Sequence, residues 1–495
     1  MNTVLLLAPV AVPALAALAY LLTGWRPGTT HLGTVSALLV FTTGILLAVR
    51  TVRDGAFDAA AGWLSADPLA GFLLIVIGAV AAVACAASPG YLAGERADGH
   101  GDPGSERRYA VLVQAFLAAM ALAVVAGNLG LTWVAIEATT TVTAFLVGHK
   151  RSRAAVEAAW KYVVICSVGI ALALLGIVIL YAAARHAGLS ESSALDFDAL
   201  TSHAKQLDPA ATRMAVALIV LGFGAKAGLA PLHSWLPDAH SQAPAPVSAL
   251  MSGVLLSVSF SVILRTRQVA DAALGTGFIR ILLLIAALAT LTVAALLLIG
   301  QRDYKRMLAY SSMEHMGLMA LGAAAGSRLA MSAVLLHIAG HGLGKSVAFC
   351  ASGQILHAEH TSQIDSVRGL AARTPVLAGT FGAAVLVLLG FPPFSLFASE
   401  LGIARAGFAA GLGWPTAAAF TLMLVAFAAL AAHTLRMLTG PDPLQGSPAA
   451  TAAALRTQAP LISALLVVAV IGVAAWPLAH LLSAAAPISF PGGTR

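Results

Sequence analysis

Within AVALIVLGFGAKAGLAPLHSWLPDAH, residues 215–240, a lysine lies inside an apolar run and Pro231 breaks that run five residues later. A lone ammonium and an interrupted backbone ladder are both costly in hydrocarbon, so a segment that keeps both is expected to use them. Lys226 is therefore the first place where charge is expected to be handled. Desolvation disfavours an ammonium and a nearby carboxylate favours it, so a lysine whose acidic partner comes and goes can hold and release a proton in turn. Glu137, in LGLTWVAIEATT, is the candidate partner, because a carboxylate so placed needs a counter-charge of its own.

His337, His341 and Lys345 stand at i, i+4 and i+8 in one apolar stretch and project from nearly one helix face. That spacing makes a polar wire through an apolar helix, or a set of structural hydrogen bonds. HxxxH also suits a metal, but no carboxylate completes a familiar ligand set. His233, His240 and Asp238 flank the break at Pro231, where they either pass protons inward or cap freed backbone groups. Glu400, in SLFASELGIA, has no charged neighbour before Arg405 and is suited to taking up or delivering a proton at the end of a path. Glu314 and His315, in AYSSMEHMG, lie close to the basic QRDYKR loop. For each of these residues the structural alternative is a buried, satisfied pair or a position nearer a loop. Ionisable groups inside a membrane shift the balance towards function.

The elements that must carry these residues are membrane helices. The chain of 495 residues is 59% hydrophobic and 10% charged, with a mean hydropathy of +0.89, far more apolar than a soluble domain. Apolar runs of bilayer length recur throughout, and about fourteen spans are expected, centred near residues 13, 41, 77, 118, 138, 172, 221, 257, 288, 316, 343, 391, 427 and 471. The first run lacks a basic region before its apolar core and is read as a helix, not a cleaved signal. Lys150, Arg151, Arg153 and Lys161, with Arg302, Lys305 and Arg306, bias the loops so that both termini are expected outside a bacterial inner membrane. The net charge of +7 fits this topology and an anionic lipid surface, and no basic stripe with interleaved aromatics points to nucleic acid. Cys85, Cys166 and Cys350 stand singly, without a CxxC pair, so neither a disulfide nor an iron–sulfur cluster is expected in this chain.

Two segments are interrupted alike, GLAPLHSWLP at 228–237 and GFPPFSLFASE at 390–400, as the expected seventh and twelfth spans. An odd number of spans per unit inverts the second copy, the arrangement by which transporters place two broken helices around central sites. The expected fold is thus all-α and polytopic, with two inverted five-helix repeats. Residues 1–108 hold the first three helices. Residues 109–268 form the first repeat, broken around Pro231, and 269–440 the second, broken around Pro392. Residues 441–495 supply the last helix and a tail.

LHSWLPDAHSQAP (232–244), QRDYKRMLAYSS (301–312) and FPPFSLFASE (391–400) together resemble the antiporter-like subunits of respiratory complex I and its relatives, which include cation/proton antiporter and membrane-bound hydrogenase subunits. NLGLTWVAIEATT, APAPVSALMSGVLL and AYSSMEHMG look most like component F of hydrogenase-4 and the related formate hydrogenlyase subunits. The resemblance implies a fourteen-helix fold with a polar axis along the membrane middle. It also implies that Glu137 pairs with Lys226, that His337 to Lys345 form a histidine/lysine helix, and that Glu400 is the acidic residue of the second broken helix. At Ser257 the chain departs from complex I subunits, which usually carry a lysine there, and a hydroxyl orients water but holds no charge near neutral pH. Only a short tail follows about residue 484, so no long lateral helix is expected.

The resulting expectation is a proton-translocating subunit of a complex I-like hydrogenase or dehydrogenase, with no cofactor in this chain. Other membrane subunits, the lipid bilayer and, through the complex, soluble hydrogenase and iron–sulfur subunits are the expected partners. The rivals are a subunit of a cation/proton antiporter or inorganic-carbon uptake system without a redox partner, and a non-conducting anchor.

Overall fold

The computed structural model describes residues 2–99, 101–440 and 451–486. Helices α1 (Asn2–Thr23) and α2 (Leu32–Asp54) are followed by an antiparallel hairpin of β1 (Phe57–Ala59) and β2 (Leu64–Ala66), paired Phe57 to Ala66 and Ala59 to Leu64. Next come α3 (Pro68–Ala97), α4 (Pro103–Val125), α5 (Leu129–Val147) and α6 (Arg153–His186), then the short α7 (Phe197–Ser202). The first broken segment is α8 (Pro209–Lys226) and α9 (Trp235–Gln242). One long helix follows, α10 (Ala245–Leu250) running through a π turn at Met251–Leu255 into α11 (Leu256–Leu274). The second half contains α12 (Thr276–Ile299), α13 (Tyr304–Ala325), α14 (Arg328–Glu359) and the short α15 (Leu370–Arg373). Its broken segment is α16 (Pro375–Leu388) and α17 (Ser395–Ala409), and α18 (Gly413–Leu438), α19 (Thr451–Val473) and α20 (Trp476–Ala485) complete the described chain.

Short polar residues start the helices where the sequence supplies them. Asp67, Asn128, Ser152, Asp208, Asp303 and Ser327 each accept a backbone N–H of the first turn, and Asp102 with Ser105 forms a reciprocal capping box. Among the described residues, eleven helices are long and apolar enough to cross a bilayer, or up to twelve if the bent pair near the C-terminus is one span. Two further expected spans are of a different kind. The one centred near 316 is α13, which carries Lys305, Arg306 and Glu314 in 22 residues, and the one near 391 is the break between α16 and α17. The expected tail lies, from residue 487, outside the described residues.

Burial follows polarity, the reverse of a soluble domain. Outer helices turn Val4, Leu22 and Leu296 outward, whereas the most apolar windows of the 245–274 helix and of α14 are fully buried. A lipid-facing surface needs no polar groups, so hydroxyls, imidazoles and ammonium groups collect on the central helices, where they meet one another. One close approach there is made by two glycines: a Cβ on Gly253 would stand 2.9 Å from the Gly342 carbonyl oxygen, and one on Gly342 2.8 Å from that of Gly253. This contact seats the π turn, a feature common where helices carry function, against the middle of α14.

Candidate functional site

At the first break α8 ends at Lys226, Gly228 turns the chain with φ +79°, and a cis Ala230–Pro231 bond leads to α9. The freed groups are met by neighbours: Trp235 Nε1 donates to the Ala225 carbonyl at 2.9 Å, and Ala230 N–H donates to Thr290 Oγ1 at 2.9 Å. His240 and Asp238 make none of these caps, and the His233 imidazole interacts with the Pro231 backbone. His233 is only half-buried, beside the exposed Pro231 and Ser234, away from His240. Asp238 accepts from Lys161 at 3.1 Å and pairs with Arg306.

Lys226 is fully buried and its ammonium is held by hydroxyls, donating to Thr140 at 2.8 Å and to Tyr162 at 2.5 Å. Tyr162 in turn shares a 2.5 Å hydrogen bond with Thr143. Glu137 makes no direct ion pair with Lys226. Its carboxylate accepts from Thr140 at 3.1 Å and from Ser167 at 3.2 Å, so Thr140 joins acid to base. Glu137 is half-buried and lines a groove between α5 and α6 that opens on the outer face of the bundle.

Beyond α9 the polar groups continue through the interior. His240 is fully buried, stacks on Phe349 with ring centroids 4.9 Å apart, and has no hydrogen-bond partner for either ring nitrogen. Lys305 and Lys345 are the cations whose charges it feels. Lys305 donates to the Ser241 and Ala243 carbonyls at 3.0 and 2.8 Å, at the C-terminal end of α9, where a cation complements the helix dipole. Hydropathy assigns Lys305 to a loop. The signal that places it inside is Asp303, which accepts the Arg306 N–H and starts α13 one residue before the lysine. Ser257 is buried and its hydroxyl makes no hydrogen bond to another group among the described residues.

In the second half Lys345 donates to the Leu308 carbonyl at 2.9 Å and to Ser311. His337, His341 and Lys345 are all completely buried and all meet α13, the two imidazoles at His315 and the lysine at Leu308 and Ser311. His315 of α13 meets this stripe: its Nδ1 is 3.5 Å from Glu314 and 3.2 Å from His337 Nε2, and its ring lies 5.1 Å from that of His341. His337 Nδ1 is 2.9 Å from Ser399 Oγ, which precedes Glu400 on α17. Glu314 lies in the fields of both Glu400 and Lys345. Glu400 packs against Gly390, whose φ of +59° lets the chain turn at the second break and leaves no space for a Cβ. Glu314 Oε1, His315 Nε2, both nitrogens of His341 and Glu400 Oε1 have no protein partner. Buried polar atoms are satisfied almost without exception, so the concentration of unpartnered atoms marks this file as a candidate site.

At the end of the bundle that carries residues 154–161 and 303–306, a cavity of about 300 Å³ is lined by Glu157, Lys161, Asp238, Asp303 and Arg306. Its floor includes Ser241, one of the carbonyls that hold Lys305. Charge is thus concentrated where the buried file comes nearest the surface.

Residues 126–428 match the family described as NADH:quinone oxidoreductase/Mrp antiporter, TM. A hydrogenase-4 component F homolog of Methylacidiphilum infernorum is 41% identical over 322 residues, which cover 64% of this chain and 67% of that protein. A chain of the membrane-bound sulfane sulfur reductase, an archaeal respiratory membrane complex, shares the fold with a TM-score of 0.85 at 23% identity, over 98% of this chain and 97% of its own. A chain of respiratory complex I from Thermus thermophilus gives 0.80 at 23% identity, over 98% of both. With its buried helices and the match across both breaks, the chain is a multi-pass membrane protein that belongs to the NADH:quinone oxidoreductase/Mrp antiporter transmembrane family.

Proposed function

We propose that the chain is a proton-translocating subunit of a complex I-like hydrogenase or dehydrogenase in a bacterial inner membrane, where partner subunits carry out electron transfer. The observation that carries this reading is the buried file of titratable groups from Lys226 and Lys305 through His240 and Lys345 to His341, His315, Glu314, His337 and Glu400. No structural role needs so many ionisable side chains with unpartnered atoms in a membrane interior. The two halves are read as inverted repeats, each with one broken helix. The positive residues near 150 and 305 support a reading with the charged cavity on the cytoplasmic side and both termini outside.

Protons reach Lys305 from that cavity and pass by way of His240 to Lys345. Lys226 sets the electrostatic state of the first half. When Glu137 is drawn closer through Thr140 the ammonium is stabilised, and when it is drawn away the proton is released. Ser257 holds no charge, so transfer across the middle runs through water that its hydroxyl orients. Other membrane subunits are the proposed neighbours, with hydrogenase-type and iron–sulfur subunits beyond them.

The decisive experiment places Lys226→Ala in the intact complex reconstituted in vesicles. Coupled proton pumping is lost while redox turnover of the soluble arm stays measurable. Unchanged pumping removes Lys226 from its role. Purification with small antiporter subunits only, without redox subunits, supports a cation/proton antiporter instead.

A further inference from the structure

Among α1, α4 and α5, at the same end of the bundle as the charged cavity, lies a second cavity of about 480 Å³. Arg107, Arg108, Arg151 and His149 line it together with Leu21 and Phe145. The side chains of the three arginines are exposed and make no ion pair or hydrogen bond with any described residue, and of their charges Asp102 feels that of Arg151. Their acidic neighbours are already engaged: Glu106 with Arg96 at 2.9 Å, Glu95 with Lys150 at 3.1 Å, and Asp102 with the N–H groups of Gly104 and Ser105. Burial holds His149 below the usual imidazole range, so the positive charge of the cavity comes from the guanidinium groups.

The apolar residues face the same opening. Leu21 is 54% and Phe145 66% exposed, at the level where helices leave the membrane. Phe145 and Gly148 also line the groove between α5 and α6, another cavity of about 480 Å³ that runs past Trp160 and Val163 to Glu137. From Gly148 to Glu137 the helix advances eleven residues, about 16 Å at the α-helical rise, close to the roughly 15 Å of hydrocarbon in one leaflet. A cluster of unpaired guanidinium groups thus opens into an apolar channel one leaflet deep, which matches a phosphate bearing an acyl chain.

We propose that this composite cavity is a binding site for one anionic phospholipid, its phosphate on Arg107, Arg108 and Arg151 and an acyl chain along the α5/α6 groove. Free phosphate shares the headgroup chemistry but leaves the groove empty. The lipid tail would reach the residues around Glu137, so occupancy bears on the outer side of the Glu137–Thr140–Lys226 link. The binding itself does not depend on the proposed transport activity.

The test uses the full chain, delipidated in detergent and loaded with vesicles of phosphatidylglycerol or phosphatidylcholine, with retained lipid read by native mass spectrometry. Three cations near the membrane surface predict a preference for phosphatidylglycerol on the order of 100-fold. Combined Arg107→Gln, Arg108→Gln and Arg151→Gln removes the preference, the three corresponding Lys substitutions keep most of it, and Ala159→Trp, which fills the groove, lowers retention with the arginines intact. Excess inorganic phosphate leaves the lipid in place. Equal retention of the two lipids by the wild-type chain, or displacement of phosphatidylglycerol by phosphate, overturns the proposal. So does unchanged retention in the Gln variant, and if that variant does not fold the wild-type ratio and Ala159→Trp decide. An intact complex isolated with no phospholipid at this position overturns it as well.

Discussion

Thr140→Val removes one hydroxyl and keeps the shape of the side chain, and among the described residues that hydroxyl is the only atom hydrogen-bonded to both Lys226 and Glu137. Lys226 keeps its hydrogen bond to Tyr162, and Glu137 keeps the one from Ser167, so the fold has no reason to fail. What is lost is a hydrogen bond from an ammonium, which contributes about 1.5–3 kcal/mol. If the ammonium must be stabilised through Thr140 in the rate-limiting step, transport slows by roughly 10- to 150-fold. The assay is acidification of vesicles containing the reconstituted complex, with redox turnover of the soluble arm followed in parallel. Thr139→Val is the matched control, because that hydroxyl bonds only to the carbonyl of Ile136. In a Glu137→Gln background the Thr140 substitution should cost much less, since the partner it connects is already neutral. Equal rates for Thr140→Val and wild type, or equal effects of the Thr139 and Thr140 substitutions, refute the idea that Thr140 transmits between acid and base.

Ser257→Ala should leave thermal stability unchanged, since its hydroxyl bonds to no protein group, while lowering proton conduction about 5-fold if it orients water at the middle of the path. Gly390→Ala should lower the unfolding free energy by about 1–2 kcal/mol, through the left-handed backbone alone, and should displace the Glu400 carboxylate; thermal denaturation and pumping measured together report both. Asp238→Asn frees Arg306 and leaves Lys161 paired with Glu157 at the mouth of the charged cavity, so stability should change by less than about 1 kcal/mol. Proton uptake in that variant should slow at low ionic strength, and the difference from wild type should shrink as salt is raised.

The residues that stood out in the sequence did so because charge in an apolar run is rare. Lys226, His337, His341, Lys345 and Glu400 are all buried on central helices, as their setting required. Their partners were harder to read. Thr140, Tyr162, Ser311 and Ser399 hold the charged groups, yet hydroxyls cost little in a membrane helix and carry no distinguishing pattern. Lys305 was hidden because a window average treats the first turn of a helix as loop. Glu137 and Lys226 are connected through a third side chain, which no spacing within either helix records. His233 and His240 stand seven residues apart across a turn, so their separation onto the outer surface and the interior depends on how the break folds. The π turn beside Gly342 has no local signature, since it arises where two helices meet.

The stripe on α14 also bears on how the protein is made. The helix is 32 residues long, about 48 Å, and its most apolar window has a hydropathy of only 1.3, against 2.8 for α12 and 3.0 for α6. Alone in lipid it would expose two imidazoles, an ammonium and a row of small residues with nothing to meet them. Helices α6 and α12 are apolar enough to enter and wait, whereas α14 is at home only once α10, α13, α16 and α17 surround it. The chain must therefore deliver a helix of low hydropathy during synthesis into a site that its last third has yet to close. Defects in that final enclosure should appear as lost protein before they appear as lost transport.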